Sequence, residues 1–420
     1  MHPRVRGAIV ASIAALVLPS IARAQPARGT APAAGAPATD DVGVDPEPDP
    51  AVAPVATAPT PDEPGAAAHP PADPLGAHHG FSWRPFGYLR LQYRVMQNDP
   101  NIEFIGRNDG FELQNARIGV IGGYRGKVDF VVALEGANND REKLNEPQGT
   151  LRDGLRDAYA DITVRRALDV RVGYFRSLVD PDIQGDNLEG DTVREFIDRP
   201  IESRGVRATE GYEQPRLTPG RSIGAALRLD PDPPTAGVAL GFEVAVQNGA
   251  DEDAADNDND TPALSATGLL RLPRNGWIVA SGRYNRRTEG ELPFRQDEDD
   301  LQGSVGARID LGAVVLGGGA MFVRTSYPTV GSPGNDAYGA HGQVAVKIPA
   351  SMPVAVGYRF GVFDASSLIL TDRVIEHTLG AVVGVPAYRM RMQLQVTHVV
   401  EQESRTLDNS RIQLAAEVSL

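Results

Sequence analysis

The stretch "YRMRMQLQVTH" (Tyr388–His398) changes character at every second residue. Its polar members are Arg389, Arg391, Gln393, Gln395 and Thr397, and its apolar members are Tyr388, Met390, Met392, Leu394 and Val396. Successive side chains of an extended chain point to opposite faces, whereas a helix repeats about every 3.6 residues. The stretch is therefore predicted to be a β-strand with one polar and one apolar face.

The same alternation recurs along the chain after Phe81, in about sixteen segments that no amphipathic helix of useful length interrupts. The segments are 84–96, 111–122, 126–137, 154–165, 168–178, 220–229, 236–248, 262–272, 275–285, 300–310, 313–324, 338–348, 353–363, 373–384, 387–400 and 408–420. Long and short connections follow one another: "QNDPNIEFIGRNDG" precedes "GYRG", and "NNDREKLNEPQGT" precedes "RRA". This rhythm is typical of a transmembrane antiparallel β-barrel, with long loops outside and tight turns in the periplasm.

In this interpretation, one face of each strand meets lipid and the other meets water. If the polar faces pointed outward, the apolar faces would have to fill an interior too wide for side chains to pack at this strand number. The apolar faces are therefore expected to meet lipid, and the polar faces to line a water-filled channel. An aromatic girdle near the strand ends is expected from Tyr88, Tyr124, Tyr174, Trp277, Tyr284 and Tyr388.

Composition excludes several classes of protein. A net charge of -14 argues against nucleic acid as a partner, and the absence of cysteine excludes a disulfide framework and a lipid anchor. No run of about 18 apolar residues follows the N-terminus, so a membrane helix is not expected. No cofactor or metal ligand set is expected either. The acidic stretch "DEDAADNDND" (251–260) lacks the glycine and distal glutamate of an EF-hand, and is interpreted as a solvated external loop or a loose divalent site shared with lipopolysaccharide.

The first eighty residues are predicted to lie outside the barrel. Residues 1–24 combine Arg4 and Arg6, an apolar core and an Ala-x-Ala site, the pattern of a secretory signal peptide. Residues 25–80 are rich in Pro and Ala and have no periodic apolar face, which predicts a disordered periplasmic tether. Residues 81–420 are assigned to the barrel.

The longest connection lies between the fifth and sixth strands, from Ser177 to Gly220. A structureless loop of this length is uncommon in a compact domain, but a large barrel can accommodate it. As the third external loop it is predicted to fold inward and narrow the lumen, where clustered charges of both signs would create a transverse field. The candidate constriction residues are Arg194, Glu195, Asp198, Arg199, Glu202, Arg204 and Arg207.

Arginines on the polar faces of the strands are candidate pore-lining residues. They are Arg90, Arg94, Arg171, Arg228, Arg308, Arg359, Arg389, Arg391 and Arg411. Guanidinium groups bind carboxylate and phosphate as forks, so these residues could form a path for anions. Alternatively, they pair with inward carboxylates and brace the wall. Those carboxylates are Asp129, Asp157, Asp161, Glu243, Glu376 and Glu417.

Three stretches resemble the phosphate-selective porin O and P family. They are "GFELQNARIGVIGGYRGKVDFVVALEG" (Gly110–Gly136), "DAYADITVRRALDVRVGYFRSLVD" (Asp157–Asp180) and "REFIDRP" (Arg194–Pro200). The resemblance implies a trimeric diffusion channel for small hydrophilic solutes in a Gram-negative outer membrane, in contact with lipid and lipopolysaccharide. The last strand, ending at Leu420, resembles the one read by the barrel assembly machinery. Because lysine occurs only at Lys127, Lys143 and Lys347, we expect weak preference for anions such as phosphate and no tight phosphate site.

Catalysis is the other class of function considered. A barrel hydrolase would place Ser, His and a carboxyl or amide group on neighbouring strands. The strand histidines are His341, His377 and His398, and no Gly-x-Ser-x-Gly motif accompanies them. No enzyme and no catalytic residue are therefore expected. The alternatives to a porin remain a structural or adhesin-type barrel, or a barrel hydrolase, without a general diffusion role.

Overall fold

The fold is described from a computed structural model of the 420-residue chain. It describes residues 80–100, 109–139, 151–165, 167–179, 217, 219–249, 256–289, 295–328, 332–369, 373–401 and 410–420. The predicted signal peptide and residues 25–79 of the predicted tether lie outside these ranges. The chain divides into two units, residues 1–71 and 72–420, and all described residues belong to the second. Within the described ranges, no helix has the length and apolar character required to cross a membrane.

Sixteen strands follow one another along the chain. They are β1 (Phe81–Met96), β2 (Gly110–Tyr124), β3 (Val128–Asn139), β4 (Leu151–Arg165), β5 (Leu168–Arg176), β6 (Arg221–Leu229), β7 (Ala239–Gln247), β8 (Ala263–Leu272), β9 (Gly276–Glu289), β10 (Gln296–Asp310), β11 (Val314–Tyr327), β12 (Ser332–Ile348), β13 (Val354–Asp364), β14 (Val374–Val385), β15 (Met390–Glu401) and β16 (Arg411–Ser419). A short 3₁₀ helix, Pro386–Tyr388, joins β14 to β15.

The strands form one closed antiparallel sheet. Each pairs with its neighbours in sequence, and β1 pairs with β16 from Tyr88 opposite Ser419 to Met96 opposite Arg411. Closure leaves no free sheet edge, which is the condition for a sheet to span lipid. The prediction of a barrel of about sixteen antiparallel strands is confirmed. Most of its long third connection, residues 180–216 and 218, lies outside the described ranges.

Side-chain exposure alternates along the strands as predicted. On β15, Gln393 and Thr397 are buried, while Leu394 and Val396 are exposed on the opposite face. The same division holds on β1, where Leu89, Leu91, Tyr93 and Val95 are exposed and Arg90, Gln92 and Arg94 are buried. The exposed apolar face is the lipid face, so the polar face lines the lumen.

The first two residues of the opening stretch do not belong to a strand. Tyr388 ends the 3₁₀ helix, and Arg389 caps it in the left-handed region at φ 47°. Pro386 explains the difference, because proline lacks the amide hydrogen that would extend the β14–β15 ladder. The strand begins at Met390. Arg389 is therefore exposed in a short turn, and its prediction as a residue of the strand wall is wrong.

Four strands extend beyond their predicted external ends. The predicted segments 275–285, 300–310, 313–324 and 338–348 correspond to β9–β12, each of which continues for several more residues. The extensions of β9 and β10 carry charges on both faces, and charges also pair between β11 and β12. Arg286 Nε lies 2.7 Å from Asp299 Oδ1, and Arg324 Nε lies 2.7 Å from Asp336 Oδ1. Ion pairing therefore stabilises strand segments that have no apolar face.

Aromatic residues are exposed at the periplasmic ends of the first two strands. Phe81 and Trp83 are about half exposed, and Phe81 contacts Tyr124 with ring centroids 4.6 Å apart. Two members of the predicted girdle point inward instead. Tyr88 lies under the Arg117 guanidinium at 5.0 Å, and Trp277 packs in a buried cluster with Leu269 and Val279. The inner face therefore includes apolar patches as well as polar residues.

Candidate functional site

The inner wall is a network of arginines and carboxylates. Cross-strand contacts join Arg391 to Glu417 at 2.6 Å and Arg411 to Glu376 at 3.0 Å. Arg171 makes a two-pronged contact with Asp161, with both N–O distances 2.7 Å. Such forked contacts fix the guanidinium plane as well as its charge. These pairs are the wall-bracing arrangement that the sequence left open as one of two interpretations.

Eight of the nine predicted pore-lining arginines lie at inward positions of the described strands. Arg90, Arg94, Arg171, Arg359, Arg391 and Arg411 are buried, and Arg228 and Arg308 are partly exposed. Arg90 donates to Gln393 Oε1 at 2.6 Å, Arg94 pairs with Glu112, and Arg228 lies 3.0 Å from Glu243. The ninth, Arg389, lies in the β14–β15 turn. The seven candidate constriction residues, Arg194 to Arg207, lie outside the described residues.

A short segment after β5 lies against the lumen side of three other strands. We define the crossing segment as Ser177–Val179. The Leu178 amide donates to Glu243 Oε1 of β7 at 2.7 Å, and the Leu178 carbonyl accepts from Ser281 of β9 at 3.1 Å. The Val179 carbonyl accepts a short hydrogen bond, 2.5 Å, from Ser304 of β10. The third long connection thus begins inside the barrel.

An apolar patch on the inner wall receives the end of the crossing segment. Val179 belongs to a fully buried cluster with Leu217, the described residue near the other end of the same connection. The wall side of the cluster consists of Met321, Val323, Ala337, Phe363 and Ala365. The alternation of polar and apolar residues along the strands predicted polar side chains at these inward positions. The patch is apolar because it packs against chain and not against water.

Four arginines gather where the crossing segment leaves the wall. The Arg156 guanidinium is close enough to interact electrostatically with those of Arg117, Arg176 and Arg221. We call these four residues the arginine cluster. Its carboxylate partners are Glu135, 3.2 Å from Arg117 Nε, and Asp157, 2.9 Å from Arg221 Nε. As defined, the cluster has four guanidiniums and two carboxylates.

The sequence did not reveal this cluster. Arg156 is the extra residue of a β-bulge, since Ala133 pairs with Asp157 and Leu134 with Leu155. A bulge breaks the period of two and re-aims the side chain, so alternation alone assigns Arg156 wrongly. Arg117 lies directly opposite Glu135 on β3, and the opposite charges of the two residues are visible in the sequence. The register that brings them together is not readable from one strand.

Carboxylates prevail on part of the opposite wall. Glu298 and Asp300 of β10 are both buried, and Arg287 contacts them at 2.8 Å and 3.2 Å. Thr325 also donates to Asp300 at 2.6 Å. The basic group on β2–β6 and the acidic group on β10 face a common lumen. The described wall residues therefore supply charges of both signs around the crossing segment.

Comparison with known proteins agrees with the barrel and its sequence features. Residues 87–269 match the family described as phosphate-selective porin O and P. Over these residues the chain is similar to a family of outer-membrane porins, and its described strands form a closed barrel. The family resemblance predicted from the sequence is confirmed, and the match points to a channel and not to an enzyme. No curated protein matches the sequence significantly.

Solved structures of outer-membrane proteins superpose on most of this chain. An anion-selective porin from Comamonas acidovorans is 12% identical with a TM-score of 0.55, covering 81% of this chain and 100% of its own. The outer membrane channel DcaP of Acinetobacter baumannii is 13% identical with a TM-score of 0.55, covering 82% and 99%. OmpT of Vibrio cholerae, in a trimer form, is 9% identical with a TM-score of 0.53, covering 81% and 100%. At these identities the likeness concerns the fold.

Proposed function

We propose that this porin is a diffusion channel for small hydrophilic solutes with a weak preference for anions. The observation that supports it is the arginine cluster, in which four guanidiniums share two carboxylates beside the crossing segment. Fixed charge at a narrow point selects ions more strongly than charge elsewhere on the protein. We expect this group of positive charges to lie near the narrow point, because the crossing segment lies on the lumen side of the wall beside it.

The total charge of -14 does not oppose this preference. Exposed charges are screened within about 8–10 Å at physiological salt, so carboxylates on distant surfaces contribute little at the narrow point. Arg156 contributes most directly, because its Nε is buried without a hydrogen-bond partner and no described residue forms an ion pair with it. The Arg156 side chain as a whole is partly exposed, so we expect its charge to act on a passing solute.

A tight phosphate site is not part of the proposal. Lysine is a compact point charge, and this chain has three lysines, of which Lys347 pairs with Asp310 at 3.0 Å near a periplasmic turn. The arginines on the wall are mostly engaged by carboxylates. Phosphate is therefore expected to pass as one small anion among others, and the anion-selective neighbour from Comamonas acidovorans lends the preference support.

The proposal also includes export of the chain, its assembly in the membrane, and a constriction of the lumen by the third long connection. The signal peptide 1–24 would deliver the chain across the inner membrane, and the barrel assembly machinery would insert it among lipid and lipopolysaccharide. A homotrimer is supported by the trimer form of a neighbour with the same fold. The constriction residues Arg194, Glu195, Asp198, Arg199, Glu202, Arg204 and Arg207 remain a prediction that adds to the field of the wall.

A hydrolase receives less support from the described residues. His398 Nδ1 lies 3.0 Å from Ser410 Oγ, but this Ser–His contact is on the outer face of the barrel. Among the described residues, no carboxylate or amide contacts the other nitrogen of that ring. A Ser–His pair without an orienting group and an oxyanion site does not make a triad.

The proposal is tested by replacing Arg156 with glutamine in the full-length porin. Arg156→Gln should shift the zero-current potential in a potassium chloride gradient toward cations, because it removes positive charge at the narrow point. The variant should fold, since no buried carboxylate loses an ion-pair partner. Single-channel recording in planar bilayers provides the measurement.

Arg389→Gln is the matched control. It removes the same charge from an exposed position in the β14–β15 turn, away from the inner wall, and should leave the potential unchanged. A wild-type channel that already prefers cations and does not respond to Arg156→Gln would contradict the anion preference. A protein that forms no channels at all would contradict the diffusion function itself.

A further inference from the structure

Two histidines face each other on the outer surface of the barrel. His377 of β14 is directly opposite His398 of β15 in the register, and their rings are stacked with centroids 6.5 Å apart and planes 24° apart. Each lies three residues from the external end of its strand. At about 3.4 Å per residue, both rings are within about 10 Å of the strand ends, close to the water-exposed rim.

A hydroxyl group holds one nitrogen of each ring. His377 Nδ1 lies 2.7 Å from the Tyr358 hydroxyl, and His398 Nδ1 lies 3.0 Å from Ser410 Oγ. In the tautomer with a proton on Nδ1, each ring donates to its hydroxyl oxygen and leaves the lone pair on Nε2. Orientation by a hydrogen bond at the far nitrogen is the arrangement found behind metal-bound histidines.

We propose that His377 and His398 form a binding site for a divalent transition-metal ion, such as Zn²⁺, Ni²⁺ or Cu²⁺. The Nε2 atoms of the two neutral imidazoles are the protein ligands, and water completes the coordination. Imidazole nitrogen suits these metals, whereas Ca²⁺ and Mg²⁺ prefer oxygen. Tyr358 and Ser410 are positioning residues that select the ligating tautomer and hold the rings.

A small movement of the side chains completes the geometry. Zinc–imidazole bonds of about 2.0–2.1 Å require the two ring centroids to approach by about 1 Å from their present separation. The proposal requires a rotation about the side-chain torsions, for which His398 is exposed and His377 is half-buried. The strand backbone, fixed by the β14–β15 ladder, does not have to move.

The residues next to the two histidine rings on the outer face are aromatic or apolar. Phe360 packs 5.4 Å from His377 on the β13 side, and Leu379 and Val396 continue the same outer face toward the membrane. Within the described ranges, no group of three or more potential ligands occurs, so a metal bound here would have two protein ligands and moderate affinity.

The experiment uses the full-length porin in detergent with the remaining non-strand histidines, His2, His69, His78 and His79, replaced by asparagine. Titration with Zn²⁺ by calorimetry should show one site per chain. Electron paramagnetic resonance of the Cu²⁺-loaded protein should show two bound nitrogens. His377→Asn and His398→Asn should each lower the affinity by about tenfold or more, because either change leaves a single ligand.

His341→Asn is the matched control, since His341 is buried on the inner face and should not affect binding. Tyr358→Phe keeps both ligands and should lower the affinity for the metal by about tenfold, as expected if the Tyr358 hydroxyl positions the His377 ring. A two-nitrogen Cu²⁺ spectrum that is lost in both histidine variants supports the proposal. It is overturned by absence of binding, by one bound nitrogen, or by binding that neither histidine substitution changes in correctly folded protein.

Discussion

Gly119 shows how closely single residues of the inner wall are fitted. It lies opposite Phe86, whose ring covers it, and a Cβ atom placed there would lie 2.5 Å from Phe86 Cζ and 2.6 Å from the Val132 carbonyl oxygen. Phe86 in turn packs with Val131 and Ala133 in a buried cluster. The absence of a side chain at Gly119 is therefore a packing requirement.

We expect Gly119→Ala to lower the stability of the barrel by about 1–3 kcal/mol, because both the ring and a backbone carbonyl must shift. Gly303→Ala is the control, since a Cβ at Gly303 meets nothing within 4 Å. Urea unfolding in detergent, followed by tryptophan fluorescence, measures the difference. Equal stability of the two variants would show that Phe86 rearranges freely.

Alternation predicted most of the wall at the residue scale. It placed Arg391 and Arg411 on the lumen face, because their strands keep a strict period of two with lipid on one side. It failed at Arg156 and Arg389, where a bulge and a proline-containing turn shift the register. It also failed for Trp277, because an aromatic residue at a strand end fits the girdle and the inner apolar patch equally well.

The crossing segment is the element that connects fold to permeation. Its three residues form one hydrogen bond to a carboxylate of β7 and two to hydroxyl groups of β9 and β10. The segment ends in the apolar patch around Met321. Backbone groups that leave a sheet need new partners when they are buried. The wall provides those partners at fixed places.

The double substitution Ser281→Ala and Ser304→Ala removes both hydroxyl donors to the crossing segment. Each hydrogen bond contributes about 0.5–1.5 kcal/mol, so the segment should detach more often and the open-channel current should become noisier. Ser265→Ala is the control, because Ser265 is an inward serine of β8 and is not among the described residues that hydrogen-bond to the segment. A quiet current in the double variant, identical to wild type, would mean that the apolar patch alone holds the segment.

The sequence predicted the strands better than their ends. All sixteen segments correspond to strands, because lipid on one face and water on the other impose a readable pattern. The extensions of β9–β12 lie at the external ends of the strands, where both faces carry polar or charged residues and the pattern disappears. The apolar inner patch was missed for a related reason, since only the tertiary fold shows that chain covers it.

At the scale of the whole molecule, the described barrel closes on itself without help from the first eighty residues. The ladder between β1 and β16 is continuous, and the Leu420 amide donates to the Gly87 carbonyl at 2.9 Å. Every strand has two hydrogen-bonded neighbours.

Deleting residues 25–79 behind the signal peptide should therefore leave barrel formation intact. The shortened protein should keep the heat-modifiable migration of a folded barrel in gel electrophoresis, and its conductance should match that of the full chain. A shortened chain that fails to fold would assign the predicted tether a structural role.

The β1–β16 seam also determines the order of events during folding. It joins Tyr88 to Ser419, partners more than three hundred residues apart along the chain, so the entropy of closing the barrel must be offset by that ladder. Contacts of such high sequence separation form late and slow the reaction. Until β16 arrives, β1 and β15 are both open edges that can pair with other chains. A chain that stalls before Arg411 would thus be exposed to aggregation and to proteolysis, and could not settle as a smaller barrel.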